Sequence, residues 1–229
     1  MPSIKIELIP LFSSLLDKNY SIIKLPTEFP EYKPGSDLDI FCYDIDDIAK
    51  VIVGFLAKDF NIKIAKKELQ IYIDIIDRND EIHFRFDLYA ALPAYNNLLI
   101  KEAFFSSIIE NSQIIEKNGC QVKVPCLIDE TILRYIEYQE WYAQRPDKIK
   151  HIEYIESKIC NSELTINQLL DKLHFYTALP IADDNRKLSS SRFVRNLNYL
   201  LFIGRKFFNS LKEKGLMQTL KKVTNKVLR

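Results

Sequence analysis

Residues 35–42 read Gly-Ser-Asp-Leu-Asp-Ile-Phe-Cys, and this octet constrains the chain more than any other stretch. Pro34-Gly35 marks a turn, and the alternation that follows predicts a strand. Side chains alternate faces along a strand, so Asp37 and Asp39 share one side while Leu38 and Ile40 enter a core on the other. Two carboxylates this close repel each other unless a positive group lies between them. Hard divalent cations use one or two carboxylates together with substrate phosphates. The competing reading is a solvated strand face beside a turn.

A second stretch, 82–89, alternates in the same way. Ile82, Phe84, Phe86 and Leu88 form an apolar face, and His83, Arg85, Asp87 and Tyr89 form the other. Asp87 thus stands mid-strand in a segment built for burial, where an unpaired carboxylate is costly. An ion pair with Arg85 or His83 is the structural alternative.

This pattern resembles the nucleotidyltransferase superfamily, typified by DNA polymerase beta and the small antibiotic nucleotidyltransferases. Its motif is Gly-Ser, an Asp-x-Asp strand and a third Asp on a neighbouring strand. Asp37 and Asp39 match the pair and Asp87 the third, over roughly residues 20–160. The pattern also resembles members found among bacterial surface-polysaccharide biosynthesis proteins. The resemblance implies Mg2+ or Mn2+ held by Asp37, Asp39 and Asp87, which would also be the catalytic residues. The chain departs from the antibiotic-modifying members in one respect: Gly35-Ser36 abut Asp37 instead of opening a helix upstream. Phosphate contacts are therefore expected from Lys24, Lys33, Gly35, Ser36 and Arg85. Expected partners are a nucleoside triphosphate or nucleotide-activated donor and a glycan or small hydroxyl acceptor. A phosphotransferase using a phosphocholine-like donor and a non-catalytic nucleotide- or partner-binding scaffold are the alternatives.

The order of elements predicts an α+β (α/β) fold: a mixed sheet with flanking helices, then a helical block and a basic amphipathic tail. An entry helix is expected within 4–18, with Pro10 near its start. Strands are expected at 20–25, 37–43, 61–66, 69–77 and 81–90, with a helix at about 46–59. Asp44, Asp46 and Asp47 suit the cap and first turn of that helix, where carboxylates favour the dipole. Helices follow at 98–110, from a cap at Asp129 through Tyr142, and at 147–160 and 165–178, with a short strand near 121–125. The corresponding division is a core at 1–97, a helical substrate-binding block at 98–180, a linker at 181–191 and a tail at 192–229. Within the helical block, Arg145, Lys148 and His151 recur at three-residue spacing, so one helical face could offer them to substrate.

Charge is divided unevenly. Residues 185–229 hold twelve Lys/Arg against one acid, Glu213, leaving twenty basic and thirty acidic residues in 1–184. An acidic body with a basic tail implies a negatively charged partner for the tail. In 192–229, Phe193, Leu197, Leu200, Phe207, Leu211, Leu220 and Val223 follow helical spacing against a Lys/Arg face. Such a segment suits the anionic surface of a membrane, with nucleic acid less favoured. The four cysteines form no C-x-x-C pair, so neither a zinc site nor a disulfide scaffold is suggested. Lys5 and Glu7 interrupt the first apolar residues and no small-residue cleavage site follows, so no signal peptide is expected. The resulting expectation is a cytoplasmic protein held peripherally at the inner face of the membrane.

Overall fold

The computed structural model describes residues 5–93, 95 and 100–176, so the tail at 192–229 lies outside the described residues. The described chain is mixed α+β, with six α-helices, a five-stranded mixed sheet and a two-stranded hairpin. It divides into two compact units. Of the described residues, the first comprises those up to 95, 100–132 and 164–176, and the second comprises 133–163.

In the first unit, α1 (Leu8–Ser13) precedes β1 (Tyr20–Ile22) and β2 (Ser36–Cys42). The entry helix is far shorter than 4–18, and Pro10 lies in its first turn, where its missing N–H costs no helical bond. A longer helix, α2 (Ile45–Leu56), then turns Ile45, Ile48, Ala49, Ile52 and Leu56 inward against the sheet. Asp44 caps it by accepting a bond from the Asp47 amide at 2.8 Å. Asp46 and Asp47 are paired with Lys66 and Lys18. They are helix-start acids with ordinary partners.

Three strands follow: β3 (Asn61–Lys67), β4 (Gln70–Ile76) and β5 (Ile82–Tyr89). The sheet order is β1-β2-β5-β4-β3, with only β2 and β5 parallel. The turn between β4 and β5 is built by Asp77, whose carboxylate accepts from the amides of Asn79 and Glu81. Those bonds hold its carboxyl below the usual range. Leu38, Ile40, Phe84, Phe86 and Leu88 line the inner sheet face and are essentially inaccessible to water. The opposite face carries the carboxylates.

That opposite face is covered at one end. Phe41, two residues after Asp39, meets Phe105 of α3 (Glu102–Glu110) with ring centroids 5.3 Å apart, and meets Tyr89 at 5.7 Å. Burial therefore falls along β2 from Phe41 to the exposed Asp37. The hairpin of β6 (Gln113–Lys117) and β7 (Cys120–Val124) packs on α1 and β1. Its Asn118-Gly119 turn has both φ angles positive, as a two-residue hairpin requires. Next, α4 (Leu127–Trp141) places Asp129 inside its first turn, where the buried carboxylate accepts a bond from Ser107 at 2.7 Å. Asp129 is not the helix cap. Ser107 also accepts a bond from Tyr176 at the end of α6 (Ile166–Tyr176), which ties that helix into the first unit.

The second unit holds the rest of α4, the 3-10 turn Pro146–Lys148 and α5 (Ile149–Cys160). Among the described residues no helix is long and apolar enough to cross a membrane.

Candidate active site

Parallel pairing of β2 with β5 puts Asp39 directly opposite Asp87, and Asp37 opposite Arg85. Neighbouring strands run about 4.8 Å apart, so these carboxylates are adjacent on one face. Asp87 is only 7% exposed, and its Oδ1 has no hydrogen-bond partner. Burial, reinforced by the negative charge of Asp39, pushes its carboxyl up to about 7 against the pull of Arg85. Lys24 Nζ stands 3.4 Å from Asp39 Oδ2. The Tyr89 hydroxyl points at Asp39 Oδ1 from 3.4 Å, and burial raises its own pKa far above the usual phenol.

Lys24 reaches Asp39 from a left-handed backbone position, φ 55°. A non-glycine residue there is strained by roughly 1 kcal/mol, and such positions cluster at functional sites. On the far side, β4 brings Asp74 opposite Arg85 and Tyr72 opposite Asp87. Arg85 grips Asp74 with two bonds, one from Nε and one from Nη2 at 2.9 Å. Its guanidinium lies 5.1 Å from the Tyr72 ring centre, and Nε is 3.7 Å from Asp87 Oδ1. The alternative of an Asp87–Arg85 ion pair is present only as this longer contact.

The turn before β2 is tight. Gly35, at φ 80°, donates its amide to the His83 carbonyl at 2.7 Å, and the Ser36 amide donates to the Lys33 carbonyl at 3.0 Å. Gly35 thus locks the turn to the neighbouring strand at a φ that favours glycine. Lys33, Ser36 and Asp37 border a cleft of about 120 Å3 whose lining also includes the core residues Phe29, Leu38 and Phe84 and two further acids, Glu28 and Glu31. The Ser36 hydroxyl is buried there without a hydrogen-bond partner.

Eight of the expected site residues therefore lie in the first unit, near the start of β2 and β5, but Ser36 alternates with Asp37 and turns to the inner face with Leu38, away from the carboxylates. The other three belong to the second unit and do not form one helical face, because α5 begins only at Ile149. Arg145 pairs with Asp147 at 2.8 Å. Lys148 pairs with Glu137 at 2.8 Å, and His151 lies 2% exposed with Nε2 3.4 Å from the same carboxylate. Burial pushes the His151 pKa down, against the pull of Glu137. The residue that sequence reasoning passed over is Tyr72. The alternation of 70–76, read as closely as that of 82–89, places it on the carboxylate face.

Asp37, Asp39 and Asp87, beside a fourth carboxylate that Arg85 occupies, and the orphaned buried oxygen of Asp87 suit a hard divalent cation. Among the described residues, no three His, Cys, Asp or Glu side chains converge as a ready-made metal cage. The pair Asp39 and Asp87 fits the sparer pattern of a cation completed by substrate phosphates. Family models, curated proteins and solved structures were compared with this chain, and none of them matches it.

Proposed function

We propose that the protein is a divalent-metal-dependent transferase of the nucleotidyltransferase type, moving a nucleotidyl or phospho-substituted group onto a hydroxyl acceptor. The observation that carries this reading is the in-register Asp39–Asp87 pair, with Asp37 exposed beside it and Asp87 Oδ1 unpartnered. Asp37 and Asp39 would hold Mg2+ or Mn2+ against the donor phosphates, and Asp87 would complete the set. The bound cation would supply charge stabilisation at the attacking and leaving oxygens of an in-line displacement.

The chain's own residues have distinct tasks. Asp87, kept ionised by the cation it would help to hold, takes the proton of the acceptor hydroxyl as its oxygen bonds to phosphorus. The bond from phosphorus to the leaving phosphate breaks and carries its electron pair away. Lys24, from beside Asp39, is set to contact donor phosphates, and Lys33, exposed in the turn before β2, is the second cation within reach of that end of the strand. Arg85 adds positive charge to the floor of the site.

Calorimetry of ATP, CTP, GTP and UTP with Mg2+ tests this, in wild type and in Asp37→Asn/Asp39→Asn. Metal-dependent binding lost in the double variant is expected. No binding of any triphosphate would overturn the nucleotidyl reading. A phosphocholine-like donor in its nucleotide-activated form is the first alternative to titrate next. One observation favours a binding-only scaffold: Lys24 and Arg85 already balance part of the acidic charge without any ligand. Binding without transfer to any hydroxyl acceptor would select it. For the basic segment 192–229 the proposed partner is an anionic membrane surface, which would bring the enzyme to a glycolipid acceptor.

A further inference from the structure

We propose that Asp74 is a positioning residue: it holds the Arg85 guanidinium along the flank of Asp87 so that Asp87 Oδ1 stays open to a divalent cation. The inference rests on the reading of Asp39 and Asp87 as a metal-binding pair. Arg85 stands in register between two carboxylates, Asp37 on β2 and Asp74 on β4, with Asp87 two residues along its own strand. An arginine in that position has three acids to choose from. The structure shows which one holds it.

The geometry explains the choice. Arginine Nε carries a single hydrogen, and Arg85 commits it to Asp74 Oδ1, while Nη2 bonds Asp74 Oδ2 at 2.9 Å. This paired arrangement fixes the guanidinium plane as well as its position. The Tyr72 ring, 5.1 Å from the guanidinium carbon, supports the same placement. Nε therefore passes 3.7 Å from Asp87 Oδ1 with no hydrogen left to donate, a distance too long for a hydrogen bond. Asp87 feels the positive charge, yet its oxygen remains unpartnered. Without Asp74 the same guanidinium is free to turn its fork onto Asp87 or Asp37 and occupy the oxygens a cation needs. Asp74 belongs to neither Asp-rich stretch on β2 and β5, and it acts through Arg85 rather than on substrate.

Mn2+ titration followed by electron paramagnetic resonance, without substrate, reads this directly on the full chain. Asp74→Ala is expected to weaken Mn2+ binding at least tenfold. Arg85→Gln is expected to bind Mn2+ at least as tightly as wild type, because it removes a positive charge from beside Asp87. The double variant Asp74→Ala/Arg85→Gln is expected to recover the affinity of Arg85→Gln, because the competing guanidinium is gone. A merely structural Asp74 predicts no such rescue. Should Asp74→Ala fail to fold, Asp74→Asn carries the same comparison, since it keeps the shape but offers only one acceptor. Unchanged affinity in the single variant, or a double variant as weak as Asp74→Ala, overturns the role of Asp74. A wild type that binds no Mn2+ overturns the metal-pair reading itself and this inference with it.

Discussion

Asp39 and Asp87 face each other in register across the only parallel strand pair of the sheet, one with Lys24 beside it and the other with a bare buried oxygen. The two are chemically the same and electrostatically different. Asp39 is a quarter exposed and lies next to an ammonium; Asp87 is closed in by β4 and by Arg85 committed elsewhere. Such a difference gives Asp87, in the metal-free chain, a proton it can exchange near neutrality.

That difference makes Asp87 a liability to the free protein. An ordinary Asp loses its proton near pH 4, whereas Asp87 keeps it to about 7 in the folded chain. Between these values the unfolded state binds fewer protons than the folded one, so this group's contribution to stability falls as pH rises through the window and levels off above it. The ceiling on that loss is about 4 kcal/mol. Asp87→Asn should therefore melt higher than wild type at pH 8 in chelator, with the gap closing towards pH 4. Added Mg2+ should narrow the gap at pH 8 by favouring the ionised wild-type carboxylate. Thermal denaturation across pH checks both, and a gap independent of pH would place the strain elsewhere.

Lys24 offers a test of strain kept for use. Its left-handed backbone favours glycine, yet the position carries a long cation aimed at Asp39. Lys24→Gly and Lys24→Ala both delete the ammonium, so they should lower triphosphate affinity alike, by about tenfold for one charge-assisted contact. They should differ in stability, with the Gly variant ahead of the Ala variant by about 1 kcal/mol. Equal melting temperatures for the two would contradict the backbone argument while leaving the charge argument standing.

Much of this site was legible in the sequence because strand alternation is strict. Once 35–42 and 82–89 are strands, Asp37, Asp39 and Asp87 must share faces with their second neighbours. Pairing was the hidden quantity: nothing local says that β2 lies parallel to β5, and without that register Asp39 and Asp87 are merely two acids 48 positions apart. The Arg85–Asp74 grip was hidden for the same reason. The β6–β7 hairpin shows the opposite case. Its Asn118-Gly119 turn is a strong local signal, but the half-exposed strand before it has too little apolar contrast to draw the eye. Arg145, Lys148 and His151 misled as a spaced set, because a helical face was assumed across Pro146, where the chain forms a 3-10 turn.

His151 gives the second unit a pH dependence of its own. Burial lowers its pKa, with Lys148 and Arg134 acting in the same direction and Glu137 against them. A base with a lowered folded pKa adds stability above its ordinary value of about 6.5, and loses it as pH falls below that value. Acidification should loosen the packing around Glu137 and Lys148. His151→Gln should show a smaller drop in melting temperature between about pH 7.5 and pH 5 than wild type. An equal drop in both would assign the acid sensitivity to other groups.

The basic segment yields the most direct prediction about location. Ten of its twelve basic side chains lie in 192–229 among apolar residues at helical spacing, and each Lys or Arg near an anionic surface contributes about 1 kcal/mol. The full chain should float with vesicles containing phosphatidylserine, bind neutral phosphatidylcholine vesicles far less, and be released as salt shortens the screening length below about 8 Å. Reversing three charges, Lys221→Glu, Lys222→Glu and Lys226→Glu, should abolish flotation, since it removes three attractive contacts and adds three repulsive ones. The acidic body at 1–184 makes this a sharp test, because it is itself repelled by an anionic surface and cannot substitute for the segment. Equal flotation on neutral and anionic vesicles would assign binding to apolar burial alone. No flotation on either would leave the segment to an acidic macromolecule, and would remove the argument that connects this site to a membrane-bound acceptor.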